Sequence, residues 1–156
     1  QIAALDGMAH SLGLSLAYIK PHGALYHDMM ARSEVRAAIV EALVSYHRPL
    51  ALMLQATVRA DEHRAEAAAA GVPLLFEAFA DRCYADDGSL LHRSQLGAVH
   101  NQERMLAQVA QLTQDNTVTT VSGNIIPLQV DTLCVHGDNP EGVRSIAALR
   151  TLVDGG

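Results

Sequence analysis

Four short apolar segments recur along the chain, and stretches with helical periodicity separate them. The apolar segments lie at residues 14–19, 50–54, 72–76 and 132–135. Short runs that are apolar at nearly every position are typical of strands buried on both faces of a parallel sheet. The pattern therefore predicts four buried parallel strands, the third of which ends in the stretch of residues 77–82.

The segments between these runs predict helices. Residues 1–12 place apolar groups on one helical face and stop at Gly13, and residues 58–70 form an alanine-rich stretch that Thr57 could cap. A helix capped by Ser33 is predicted in the 33–46 region, and another is predicted around residues 105–112. Asn139 and Pro140 form an N-cap and first-turn pair for a last helix, whose apolar side is Ile146, Leu149 and Val153.

Residues 117–121 and 125–130 predict a β-hairpin, because a tight-turn pair, Gly123-Asn124, joins them. Residues 80–100 are a long polar connection, and connections of that length are more often functional than idle. No repeat or linker interrupts residues 1–156, so we predict a single α/β domain. Strands that alternate with helices imply right-handed βαβ units in a parallel sheet or barrel.

The polar residues of greatest chemical interest follow three of the predicted strands. They are Lys20 and His22 after the first strand, Glu77, Asp81 and Arg82 after the third, and His136 and Asp138 after the fourth. The carboxyl ends of parallel strands open on one face, so these side chains are expected to line one cleft. Gly23 permits a close backbone approach or a positive φ.

Each of these residues also has a plain structural interpretation. The segment around Lys20 could be an ordinary strand-to-helix turn, Asp81 and Arg82 could form a loop ion pair, and Asp138 could cap the last helix. We expect the remaining histidines to be solvated or capping residues: His10, His27, His47, His63, His92 and His100. No paired histidine spacing indicates a complete metal site.

Composition narrows the class of protein. The chain has 156 residues, of which 49% are hydrophobic and 18% charged, and a net charge of −6 with a single lysine. These values indicate a globular protein and argue against nucleic acid or an anionic membrane as a partner. The sequence shows neither a membrane-span pattern nor a signal peptide, so we expect a cytoplasmic protein. Cys83 and Cys134 are expected to be thiols in a reducing compartment.

Three separated motifs resemble the LamB/YcsF family. They are Lys20-Pro21-His22-Gly23-Ala24-Leu25-Tyr26, the pattern Glu77-x-Phe79-Ala80-Asp81-Arg82-x-Tyr84-x-x-Asp87-Gly88-Ser89-Leu90, and Cys134-Val135-His136-Gly137-Asp138-Asn139-Pro140. The resemblance covers essentially the whole chain. It implies a (β/α) barrel similar to the glycoside hydrolase/deacetylase barrels, here incomplete. It also implies ATP-dependent opening of 5-oxoproline to L-glutamate together with 5-oxoprolinase subunits B and C, with Mg²⁺ accompanying ATP.

The resemblance implies a set of site residues at the matching positions. Proton transfer and its orientation would fall to His22, Asp81, His136 and Asp138. Anionic oxygens of substrate or phosphate would be held by Lys20, Gly23, Tyr26, Glu77, Arg82 and Gly137.

Two departures from the family pattern bear on these expectations. The family's first motifs, roughly a third of its length, have no counterpart here, so we expect the chain alone to be inactive and its open edge to favour a homo-oligomer. His92 also stands where the family usually has proline. Two alternatives stay open, namely a metal-dependent amide or carbohydrate deacetylase on a related barrel and a non-catalytic binding module.

Overall fold

A computed structural model describes residues 1–155 of the chain. Its elements, in chain order, are α1 (Ile2–Ser11), β1 (Tyr18–Ile19), α2 (Ala24–Ala31), α3 (Ser33–Val44), β2 (Ala51–Gln55), α4 (Ala60–Ala69), β3 (Leu74–Phe79), α5 (Gln102–Asp115), β4 (Thr117–Thr119), β5 (Ile125–Pro127), β6 (Thr132–Cys134) and α6 (Pro140–Asp154). The chain divides into two compact units. The first comprises residues 1–55 and 61–75, and the second comprises residues 56–60 and the chain from Phe76 onward.

The strands form a parallel sheet in the order β1-β2-β3-β6, and β4 and β5 form a separate antiparallel hairpin. Tyr18 pairs with Ala51 at the β1 edge, whereas Phe79 pairs with Cys134 at the carboxyl ends of β3 and β6. The parallel sheet with intervening helices confirms the predicted α/β class. The single-domain assignment stays a prediction.

The first predicted strand is mostly wrong. Only Tyr18 and Ile19 pair with β2, while Leu14 is 62% exposed and Tyr18 is 45% exposed. The apolar run therefore does not mark a buried strand, because residues 14–17 have no strand partner in the described chain. Helix α2 was not predicted, and Ser33 is the first residue of α3 rather than its N-cap, a position that Arg32 occupies.

The second unit contains a well-defined helical core. Helix α5 buries Met105 and Val109 against Ala80 of the loop and Leu149 of α6, so the predicted apolar stripe of α5 is confirmed. Leu149 is buried as predicted, but Ile146 is 51% exposed and does not share its environment.

Helix α6 begins as its sequence predicts. The Asn139 side chain accepts hydrogen bonds from the N–H groups of Glu141 and Gly142, both at 3.2 Å, and Pro140 occupies the first turn. Gly142 is buried, and a Cβ at this position would lie 2.8 Å from Cγ1 of Val135. The start of α6 therefore packs directly against the segment that leads to His136.

No helix within residues 1–155 combines the length and the apolar character that crossing a membrane requires.

Candidate active site

The register of two parallel strands brings Asp81 and His136 together. Phe79 of β3 pairs with Cys134 of β6, and each strand is followed, two residues later, by one of these polar residues. Equal offsets from a paired position place two residues at the same level beyond the sheet edge. The N–H of Ala80 also donates to the carbonyl of Cys134 at 2.9 Å, which continues the pairing toward the site.

Asp81 and His136 form a hydrogen-bonded pair. Nδ1 of His136 lies 3.0 Å from Oδ1 and 3.2 Å from Oδ2 of Asp81, and the His136 backbone N–H donates to Oδ2 at 3.3 Å. Asp81 is fully buried, whereas the His136 side chain is 27% exposed. An ionised carboxylate only accepts, so Nδ1 carries the proton and Nε2 is left as the imidazole's basic nitrogen.

Phe79 fixes the plane of the imidazole. Its ring stacks on that of His136, with centroids 5.4 Å apart and planes inclined by 15°. An imidazole held by a carboxylate at one edge and an aromatic ring on one face has little rotational freedom. Phe79 belongs to the second sequence motif, but nothing in the sequence indicated that it would contact His136.

The environment of Asp81 favours its ionised form. Burial by itself raises the pKa of this carboxyl, but hydrogen bonds from His136 and the positive charge of its ring oppose that effect, and the net direction of the pKa is downward. Asp81 therefore stays ionised over the physiological range and can stabilise a protonated His136.

The lowered pKa of Asp81 predicts an acid-dependent loss of stability. An unfolded aspartate titrates at about pH 3.9. Because the folded pKa is lower, ionised Asp81 stabilises the fold above the unfolded value, and this contribution is lost as pH falls through the folded pKa. We expect the free energy of unfolding of the Asp81→Asn variant to fall less steeply below about pH 4 than that of the parent protein. Urea unfolding over a pH series tests this, and equal slopes would contradict it.

Arg82 is buried and bonded to the loop that follows it. Its Nη2 donates to the carbonyl of Leu91, and its Nε donates to that of Ala98 at 3.4 Å. Burial lowers the pKa of Arg82, and the nearby charge of Arg93 lowers it further. No ion pair joins Arg82 to Asp81 among the described residues, so the loop ion-pair interpretation was wrong. A direct role of Arg82 in binding anions stays a prediction.

A buried glutamine holds the backbone around Asp81. Nε2 of Gln108, on α5, donates to the carbonyls of Phe79 at 2.7 Å, Ala80 at 3.2 Å and Arg82 at 2.9 Å. Its Oε1 lies 3.2 Å from Nε2 of His100, whose backbone N–H donates to the Asp81 carbonyl at 2.9 Å. This clamp was not predicted, and the expectation that His100 is a solvated or capping residue was wrong, because it is buried and Asn101 caps α5. The same expectation was wrong for His63, which is buried.

Asp138 does not cap the last helix, because Asn139 does. It pairs instead with Arg93 of the 80–100 connection, with Nη1 to Oδ2 at 2.6 Å and Nη2 to Oδ1 at 3.4 Å. Hydrogen bonding to Arg93 lowers the pKa of Asp138. Gly137, between His136 and Asp138, is exposed and lies at the start of the turn into α6.

The remaining predicted residues occupy other positions. Lys20 follows β1 in the first unit, and its Nζ lies 6.0 Å from the ring centroid of Tyr26, which is buried in α2. His22 is exposed, and Gly23, the N-cap residue of α2, has the positive φ that was predicted for it, at +60°. Glu77 is buried inside β3, so it lies within the strand rather than after it, and the strand ends at Phe79, within the predicted stretch of residues 77–82. Whether these residues share a cleft with Asp81 and His136 stays a prediction.

The residues that the structure describes include no cluster of metal ligands, and a cavity among them is not lined by the predicted site residues. Within the described chain, no group of three or more His, Cys, Asp or Glu side chains is placed to hold a metal ion. A cavity of about 600 Å³ lies in the first unit between α3, α4 and β2, and most of its lining is apolar. None of the predicted site residues lines this cavity.

The fold and this site define an α/β protein with a carboxylate–histidine pair at the carboxyl edge of a parallel sheet. The sequence profile of the LamB/YcsF family matches residues 1–155, and the chain belongs to that family. It is 43% identical over 156 residues to the A subunit of 5-oxoprolinase from Chromohalobacter salexigens, and 44% identical over 155 residues to that from Vibrio cholerae serotype O1. Both alignments cover 99% of this chain and 62% of the relative.

A solved structure supports the same relationship. The crystal structure of the lactam utilization protein from Thermus thermophilus superimposes with a TM-score of 0.84 at 30% identity, covering 99% of this chain and 61% of that one. The match confirms the predicted α/β fold class. This chain therefore spans less than two thirds of the length of the relatives that it matches.

Proposed function

We propose that this chain is part of the A subunit of an ATP-dependent 5-oxoprolinase, which opens 5-oxo-L-proline to L-glutamate together with the B and C subunits. The observation that carries the proposal is the 43% and 44% identity to proteins named as A subunits of 5-oxoprolinase, over 99% of the chain. The Asp81–His136 pair supports it, because it supplies the acid–base function that hydrolysis of an amide needs.

The chemistry of a lactam explains the need for ATP. A lactam carbon is a poor electrophile, and transfer of the γ-phosphoryl group of ATP to the lactam oxygen, with release of ADP, makes that carbon reactive. Water then adds to the carbon and gives up a proton. The ring C–N bond breaks, its electron pair goes to nitrogen, and nitrogen takes a proton. A second water hydrolyses the resulting acyl phosphate to the carboxylate and inorganic phosphate.

His136 is the residue that would carry these protons. Its Nδ1 is bonded to Asp81, so Nε2 accepts the proton of the attacking water and returns it to the ring nitrogen. Asp81 orients the imidazole and stabilises its protonated form, because it is buried and ionised. Phe79 keeps the ring from turning out of line.

Assay of the assembled enzyme tests the proposal. The full-length protein that carries this sequence is purified with its B and C partners, and glutamate is measured with 5-oxoproline in the presence and absence of ATP. We expect glutamate to form only with ATP, with ADP appearing in proportion. Absence of glutamate with all components present would overturn the proposal.

Replacement of Lys20 tests the part played by the motif that contains it. In the assembled enzyme, Lys20→Ala is expected to lower turnover about a hundredfold, the usual effect of losing a preorganised charge near a developing anion. The free energy of unfolding should change by less than about 1 kcal/mol, since Lys20 stands at a strand end outside the core. Lys20→Arg is the control that keeps the charge. Near-normal turnover in Lys20→Ala would show that Lys20 has no role in the reaction.

A further inference from the structure

Arg93 and Asp138 form an ion pair beside the histidine of the candidate site. Arg93 belongs to the connection between β3 and α5, and Asp138 lies two residues beyond His136, just before α6. One contact between them is short, at 2.6 Å, and the other is long, at 3.4 Å. The guanidinium is therefore bonded to a residue only two positions beyond the histidine that would carry protons.

The pair is exposed and can exchange partners. The Arg93 and Asp138 side chains are 42% and 67% exposed, and ion pairs at such positions add little to folding stability. The other arginine that precedes it in this connection, Arg82, is buried and bonded to the carbonyls of Leu91 and Ala98. Arg93 can therefore leave its acceptor without depriving a buried carbonyl of its donor, whereas Arg82 cannot.

We infer that Arg93 binds the carboxylate of the cyclic amide substrate, and that the Asp138 carboxylate is paired with Arg93 when substrate is absent. This inference rests on the proposed function. A guanidinium binds one carboxylate much as it binds another, with two parallel N–H donors, so the substrate carboxylate replaces the Asp138 carboxylate group for group. Anchoring that end of the substrate beside His136 orients the lactam carbon toward Nε2.

Opposite substitutions distinguish this exchange from a structural ion pair. In the assembled enzyme, Arg93→Gln is expected to raise the KM for 5-oxoproline by about 10- to 100-fold, the usual effect of losing a charged hydrogen-bonding partner. Asp138→Asn is expected to lower that KM by about two- to fivefold, because Arg93 then has no competing anion. If the pair only supported the fold, Arg93→Gln and Asp138→Asn would both shift the KM in the same direction.

Arg150→Gln is the matched control. Arg150 forms an exposed pair with Asp154 at 2.7 Å in the same unit, and its loss should leave KM unchanged. The inhibition constant of 2-pyrrolidinone, a lactam without the carboxylate, should also be unchanged in Arg93→Gln. An active parent enzyme with an unaltered KM in Arg93→Gln, or with a raised KM in both variants, would overturn the inference alone. An inactive parent enzyme would overturn the proposed function and this inference with it.

Discussion

Replacing His136 with asparagine is expected to lower 5-oxoproline-dependent glutamate formation by about a thousandfold in the assembled enzyme. A positioned general acid–base group typically contributes about 10²- to 10⁴-fold to a rate. Asparagine can still contact Asp81, so the buried carboxylate keeps a partner, but it has no nitrogen that takes up a proton near neutral pH. The measurement is steady-state turnover with saturating ATP, and the KM for 5-oxoproline should change little.

The control for this prediction is His10→Asn, which replaces an exposed histidine at the end of α1. That variant should keep the parent rate. Asp81→Asn combined with His136→Asn should be no slower than His136→Asn alone, because the carboxylate acts through the imidazole and their effects are not additive. If the turnover rate of His136→Asn is within about tenfold of the parent rate, His136 is not the residue that transfers the proton.

The second large effect is expected at Gln108. Gln108→Leu keeps the approximate size of the side chain but removes the donors to three buried carbonyls, of Phe79, Ala80 and Arg82. Leaving a buried polar group unsatisfied costs about 1–3 kcal/mol, so we expect the free energy of unfolding to fall by about 2–4 kcal/mol. Equilibrium urea unfolding gives this value directly.

Gln114→Leu is the matched control, since Gln114 lies on the same helix and is exposed. It should change stability by less than about 0.5 kcal/mol. Gln108→Leu should also lower turnover more than it raises KM, because the clamped backbone is the one that aims Asp81 at His136. Equal stabilities for the two leucine variants would show that the three carbonyls find other donors.

Local signals predicted the parts of the fold that depend on nearby residues. The Asn139-Pro140 pair predicted the start of α6, and the Met105, Val109 and Leu112 spacing predicted the buried face of α5, because caps and helical periodicity act within a few turns. The β4–β5 hairpin followed from its turn residues for the same reason.

The errors arose where distant parts of the chain decide the outcome. Leu14 is apolar but exposed. The prediction failed here because an apolar run does not show whether a partner strand lies alongside it. His100 is buried because Gln108, on a helix that starts after it, supplies its hydrogen-bond partner. A lone histidine carries no sign of such a partner.

The candidate site was predicted in part. Asp81 and His136 could be selected because both follow predicted strands, and parallel pairing brings such positions together. Their direct hydrogen bond depends on the register of Phe79 with Cys134, which no short segment encodes. Arg93 was not selected because a charged residue in a polar loop has no distinguishing pattern, and only the fold shows that it reaches Asp138.

The close packing of Gly142 on Val135 restricts how this sequence can evolve. A methyl group at position 142 would approach Cγ1 of Val135 to 2.8 Å, and valine has few rotamers with which to withdraw. A side chain gained at position 142 therefore requires Val135, the residue before His136, to shift or to be replaced by a smaller residue. Selection that preserves the position of His136 would thus extend to positions 135 and 142, outside the Asp81–His136 pair.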